Sequence, residues 1–193
     1  GQTFLHGKLG IRFDVPVGFQ IDNKAEAVLA TGPGDVAIRF DGVADSRGQD
    51  LVNYISSGWV TGLRPETIQP IMINGLEGAT AKAAADRWEF DVTVVRIDKQ
   101  IYRFLTAVPA GSKALEPTAA TLKGSFRKLT PAEVASLKPL RIRVIAARAG
   151  DTVGSLAARM MGTDRKVDLF RLINAMTATS TVRPGEKFKI ISE

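Results

Sequence analysis

Along the first forty positions apolar residues recur with a period of two. In GIRFDVPVGFQI, Ile11, Phe13 and Val15 share one face of a predicted strand, and residues 16–18 force a break. AVLATGPGDVAIRF predicts two strands joined through the turn formers Gly32, Pro33, Gly34 and Asp35. After Asp45 the period lengthens, and Leu51, Tyr54, Ile55 and Trp59 fall on one side of a helix. Strands then return. TIQPIMI and LEGATAKAAA flank Asn74-Gly75, a strong hairpin signal, and WEFDVTVVRI and QIYRFLTAVPA flank Asp98-Lys99. Leu115, Ala119, Leu122, Phe126 and Leu129 are spaced four, three, four and three apart, which predicts one closing helix. Consecutive hairpins with two separated helices predict an α+β domain over residues 1–130, an antiparallel sheet with packed helices.

A second pattern follows. LTPAEVASLKP has Thr130 as N-cap, Pro131 at the first helical position, Glu133 at the third and a stop at Lys138-Pro139, so residues 131–140 read as a linker with a short helix. From 141 to 193 the order is strand, helix, helix, strand. RIRVIAA sets Ile142, Val144 and Ala146 against Arg141, Arg143 and Ile145. Gly150 permits a left-handed turn, and Asp151 or Thr152 can cap a helix whose buried stripe is Val153, Leu156, Ala157 and Met160, with Gly162 as its stop. Val167, Phe170 and Ile173, with Leu169, Leu172 and Met176 alongside, predict the second helix. Pro184-Gly185 then turns into a strand whose Phe188 and Ile190 share a face.

Composition narrows the chemistry. The 193 residues are 45% apolar and 24% charged, and no apolar run approaches the roughly 18 residues of a membrane span. The opening GQTFLHGKLG lacks a signal peptide's basic and apolar regions, and Gly1 in place of Met is expected of a piece excised from a longer chain. There is no cysteine and a single histidine, His6, read as a solvated turn residue, so neither a histidine-rich zinc site nor a serine triad is expected. Asp14, Asp41, Glu89, Asp91 and Asp98 are expected on solvated surface, and Phe13, Phe19, Trp59, Trp88 and Phe126 in the core. No catalytic residue and no metal ligand is assigned.

Charge is uneven. Residues 140–193 carry 10 Lys/Arg against 5 Asp/Glu, a net of +5 within the chain's +6, while residues 1–139 carry 16 against 15. The terminal part therefore favours an anionic or hydroxyl-rich polymer. Nucleic acid is the less favoured partner, because single-strand binding also needs stacking aromatics and only Phe170 and Phe188 are present there, both on predicted core faces.

GIRFDVPVGF, a helix ending near Trp59, the INGLEGATAKA hairpin and ATLKGSFRKL together resemble the PsbP-type fold, which implies a non-catalytic antiparallel-sheet domain over roughly residues 3–130. Gly150-Asp151-Thr152, Leu172 with Asn174, and Pro184-Gly185 resemble the markers of the LysM domain, a small βααβ glycan-binding module. That resemblance implies a groove for N-acetylglucosamine polymers such as peptidoglycan. Gly150, Asp151, Thr152 and Val153 would line one side, and Asn174, Ala175, Met176 and Thr177 the other. The chain departs from the LysM pattern in a longer helix–helix connection, MMGTDRKVD, an extra residue between Leu172 and Asn174, and no Trp or Tyr in 140–193. The alternative reading is a protein-docking module that has lost glycan binding.

Together the two parts, with LTPAEVASLKPLRIRVIAARAGDTVGSLAARM between and RPGEKFKI after, are similar to the C-terminal region of bacterial zinc metallopeptidases of the CAAX prenyl endopeptidase family. That resemblance implies an accessory region in the bacterial periplasm or cell envelope, attached to a protease domain in the same parent chain. The zinc and its HExxH helix would belong to that parent. HExxH is absent from this chain, which would itself carry no cofactor.

Overall fold

The structure, a computed structural model, describes residues 1–137 and 139–193. It divides into two compact units, Gly1–Thr130 and Pro131–Glu193.

The first unit is built from ten strands and two helical segments. In chain order they are β1 (Gln2–His6), β2 (Ile11–Val15), β3 (Gln20–Asn23), β4 (Val28–Gly32), β5 (Val36–Ala44), α1 (Leu51–Tyr54), β6 (Leu63–Ile73), β7 (Leu76–Ala85), β8 (Trp88–Ile97), β9 (Gln100–Pro109), α2 (Leu115–Ser125) and β10 (Arg127–Lys128). Seven strands form an antiparallel sheet in the order β3-β4-β5-β9-β8-β7-β6, and β1-β2-β10 form a smaller one. Nearly every link in the large sheet is a hairpin. The β6–β7 link turns on Asn74 and Gly75, both at positive φ (48° and 80°), which is the backbone that a tight hairpin requires.

Each face of the large sheet has its own core. On one face Phe40, Tyr102, Phe104 and Val108 meet Phe13, Leu122 and Phe126, carried by the small sheet and the end of α2. Phe104 stands edge-on to both Phe13 and Phe126, with ring centroids 5.0 and 5.4 Å away, a favoured aromatic geometry. On the other face Leu51 and Ile55 press onto Ala79, Ala81, Ala83, Val92, Val94 and Ile101. The alanines admit the close approach of α1, which Asp50 caps and a π turn, Ile55–Trp59, continues. Phe126 and Leu129 are buried as the stripe predicts, but the helix ends at Ser125. Those two residues reach the core from extended backbone around β10, because pairing with β2 takes over the backbone hydrogen bonds.

The second unit holds α3 (Pro131–Ser136), β11 (Arg141–Ala146), α4 (Val153–Ala157), α5 (Lys166–Ile173) and β12 (Lys187–Ser192). The predicted stop falls partly on Lys138, which lies outside the described residues. β11 and β12 pair antiparallel, and the two helices close on one face of that ribbon around Leu156, Ala157, Met160, Phe170, Phe188 and Ile190. The structure adds two packing details to the predicted pattern. Val167 and Leu172 of α5 are exposed, because Phe170 with Leu169 and Ile173 already fills the contact. On β11, Ile145 faces the helices while Ile142 and Val144 face away.

Candidate functional site

The loop entering α4 is held by a closed set of local bonds. Gly150 has φ +88°, which lets the chain reverse so that the Asp151 N–H donates to the Arg148 carbonyl (3.0 Å) while Asp151 Oδ2 accepts from the Arg148 N–H (2.7 Å). Thr152 is the N-cap. Its Oγ1 accepts from the Ser155 N–H (3.0 Å), and Ser155 Oγ accepts from the Thr152 N–H (2.9 Å), a reciprocal capping box. Val153 turns inward and packs on the core. Gly150 and Thr152 remain exposed.

The loop leaving α5 is equally ordered. The Met176 N–H donates to the Arg171 carbonyl (2.9 Å) and the Ala175 N–H to the Leu172 carbonyl (3.2 Å), which is a Schellman closure. Its left-handed position is Ala175, φ +51°, where glycine is usual. Ala175→Gly should therefore stabilise the second unit by about 0.5–1 kcal/mol, the relief of left-handed strain less the added freedom of the unfolded chain. Denaturant titration checks this, and a loss of stability would contradict it. Met176 packs against the core, and the Thr177 hydroxyl lies 3.2 and 3.1 Å from those of Thr179 and Ser180.

Asn174 has a different part. Its Oδ1 accepts from the Lys189 N–H (2.7 Å), and its Nδ2 donates to the carbonyls of Lys189 (2.9 Å) and Phe170 (2.9 Å). The side chain thus bridges α5 to the outer edge of β12. Both polar atoms are committed to the backbone, so Asn174 positions the loop. The two loops border a single core, onto which Val153 and Met176 both pack. Thr152 and Thr177 are the exposed hydroxyls among the eight predicted residues. Phe170 and Phe188 lie 5.7 Å apart inside that core, so neither offers a stacking face.

In the first unit, two carboxylates lie elsewhere than the sequence pattern predicts. Asp91 and Asp41 are buried, not on solvated surface. Asp91 accepts from Lys82 Nζ (2.7 Å), Lys123 Nζ (3.1 Å) and Thr93 Oγ1 (2.8 Å). Burial by itself would lower the Lys82 ammonium, but hydrogen bonds to Asp91 and Glu116 outweigh it and hold Lys82 above its ordinary value. Asp41 accepts both arms of Arg103 at 2.7 Å, and the guanidinium also donates to the Tyr54 hydroxyl (2.9 Å) and lies 4.5 Å from the Trp59 ring centroid. Bonding to Asp41 is the chief reason that Arg103 stays charged against burial. Both networks are internal ties: one fastens α2 to the sheet, the other the π turn. The alternation in the sequence hid their partners, which lie 32 and 62 residues away.

Trp88, expected in the core, is exposed at the start of β8, and His6 is half-buried with its Nδ1 accepting from the Leu9 N–H (3.1 Å). His6 borders a cleft of about 220 Å³ with Phe4, Asn23, Glu26, Gln100 and Tyr102. That volume is below the roughly 300–1,000 Å³ of small-molecule pockets. Among the described residues, no group of three His, Asp or Glu side chains is placed to hold a metal ion, and no helix is long and apolar enough to cross a membrane.

No family model matches the chain, and no curated protein matches its sequence. Solved structures do match. A crystal structure from Bacteroides thetaiotaomicron superposes with a TM-score of 0.53 at 13% identity over 77% of this chain and 54% of that one, so the chain spans about half that protein's length. The solution structure of cyanobacterial PsbP (CyanoP) from Synechocystis sp. PCC 6803 superposes with a TM-score of 0.50 at 14% identity, over 66% of this chain and 91% of that one. At such identities the likeness is one of fold, and the chain has an antiparallel α+β fold with a PsbP-like neighbour.

Proposed function

We propose that this chain is the non-catalytic accessory region of a bacterial envelope zinc metalloprotease, and that its terminal LysM-like unit holds the parent enzyme against peptidoglycan. The observation that carries the reading is the pair of hydrogen-bonded, capped loops at 150–153 and 174–177, bordering one core and leaving Gly150, Thr152, Ala175 and Thr177 exposed. A preformed surface of that kind binds with a reduced ordering cost. Hydroxyls and backbone groups suit acetamido and sugar hydroxyl partners, and Arg148, beside the first loop, suits the carboxylates of stem peptides. With no aromatic platform, affinity per sugar is low, so long polymers are held better than short ones.

The test is retention of the full chain on insoluble peptidoglycan at low and physiological salt. Wild type should be retained at both, with the Arg148 contribution weakening as salt rises. Thr152→Asn with Thr177→Ala keeps an oxygen for the helix cap and removes both hydroxyls. Retention should fall several-fold with the melting temperature unchanged. No retention of wild type at either salt would overturn the reading.

A further inference from the structure

The backbone edges of the second unit are treated unequally. The Ala147 N–H donates to the Glu186 carbonyl (2.8 Å), which fixes the alternation: Arg141, Arg143 and Ile145 point their backbone groups at β12, and Ile142, Val144 and Ala146 point theirs away. The partner strand agrees. Lys189 and Ile191 of β12 point outward, and their groups are taken, Lys189 by Asn174 and the Ile191 carbonyl by the Met161 N–H (2.9 Å). The outer edge of β12 is therefore covered. On β11 the outward groups of Ile142, Val144 and Ala146 have no hydrogen-bond partner among the described residues.

Edge strands are commonly blunted by proline or a bulge. β11 has no proline, and its register with β12 runs unbroken over six residues. Its outward face instead shows Ile142 and Val144, 61% and 64% exposed. We infer that the free edge of β11 is a docking site for an extended acidic peptide, which adds to the ribbon as a third strand.

Register decides the chemistry of that peptide. Along β11, Ile142 and Val144 occupy one face, with Lys187 and Lys189 opposite Ala146 and Val144 on β12, while Arg141 and Arg143 occupy the other. A strand laid on this edge presents alternate side chains to the two faces. Aliphatic residues meet Ile142 and Val144, and carboxylates between them meet Arg141 and Arg143. The matching sequence alternates aliphatic with Asp or Glu over about five to seven residues. A second copy fits less well: two antiparallel β11 strands centred on Val144 gather all four arginines on one face of two units that each carry +5. This inference stands apart from glycan binding, which uses other loops.

The experiment is titration of the isotope-labelled full chain with two heptapeptides, one alternating Val and Glu, the other Val and Lys. The Val/Glu peptide should bind and slow hydrogen exchange at the amides of Ile142, Val144 and Ala146; the Val/Lys peptide should bind at least tenfold more weakly. Val144→Pro removes one outward N–H and no β11–β12 bond, so it should cut binding at least tenfold in a folded unit. Arg141→Glu with Arg143→Glu, which leaves the backbone intact, should reverse the preference between the peptides. Equal binding of both peptides, or protection of those amides by self-association or by an oligonucleotide in place of the acidic peptide, would overturn the inference.

Discussion

Asp91→Ala should lower the stability of the first unit by about 3–5 kcal/mol, the range for breaking a buried ion pair from one side. Asp91 is 2% exposed and is the common acceptor for Lys82, Lys123 and Thr93. Without it two partly buried ammonium groups face each other, and Lys82 keeps only Glu116, itself largely exposed. α2 would lose its buried tie to β8, while the Lys82–Glu116 pair, the Lys123–Thr80 hydrogen bond and the contacts of Leu122 and Phe126 remain. Urea unfolding measures the effect, and a loss below about 0.5 kcal/mol would contradict it. The triple variant Asp91→Ala, Lys82→Met, Lys123→Met should recover most of the loss, since apolar replacement of a whole buried network is often neutral. The pH dependence has a definite sign. Lys82 is raised above 10.5 in the folded state, so its contribution is complete at neutral pH and is lost only as pH climbs through and beyond that value.

Leu156→Ala should cost the second unit about 2–5 kcal/mol. Leu156 is fully buried at the meeting of both helices and the ribbon, among Met160, Phe170, Phe188 and Ile190. A unit of this size has little stability to spare, so a loss of that order can unfold it. In an NMR spectrum, the dispersed amides of residues 139–193 should collapse while those of Gly1–Thr130 persist. A change below about 0.5 kcal/mol, or loss of both sets together, would contradict the assignment of separate cores.

The parts of the fold legible in the sequence are those fixed by local rules. Asn74-Gly75 announces its hairpin because two successive positive-φ residues are a local demand. What the same Asn74 also does, donating its side-chain amide to the Phe126 carbonyl (2.7 Å), is invisible, since the acceptor lies 52 residues away. The stripe from Leu115 to Leu129 shows how a correct burial pattern can misplace a helix end: periodicity records which side chains are buried and not which backbone delivers them. The burial of Asp91 and Asp41 is hidden in the sequence for a related reason. A carboxylate in an alternating strand looks solvated until its cations are located, and here they come from other elements.

The same distinction governs the candidate site. Gly150, Asp151 and Thr152 were legible because turn and cap chemistry lies within a few residues. Asn174 was legible as a marker but not in its role, because its acceptor and donor on Lys189 are 15 residues distant. The open edge of β11 leaves no local signature, since a covered edge and a free one have the same alternation.

The most direct measurement is chemical-shift mapping of the full chain with an N-acetylglucosamine oligomer of six or more sugars. The amides of 150–153 and 174–177 should shift together and saturably, with little change in Gly1–Thr130. Absence of shifts in both loops, or shifts confined to 142–146, would contradict the glycan reading.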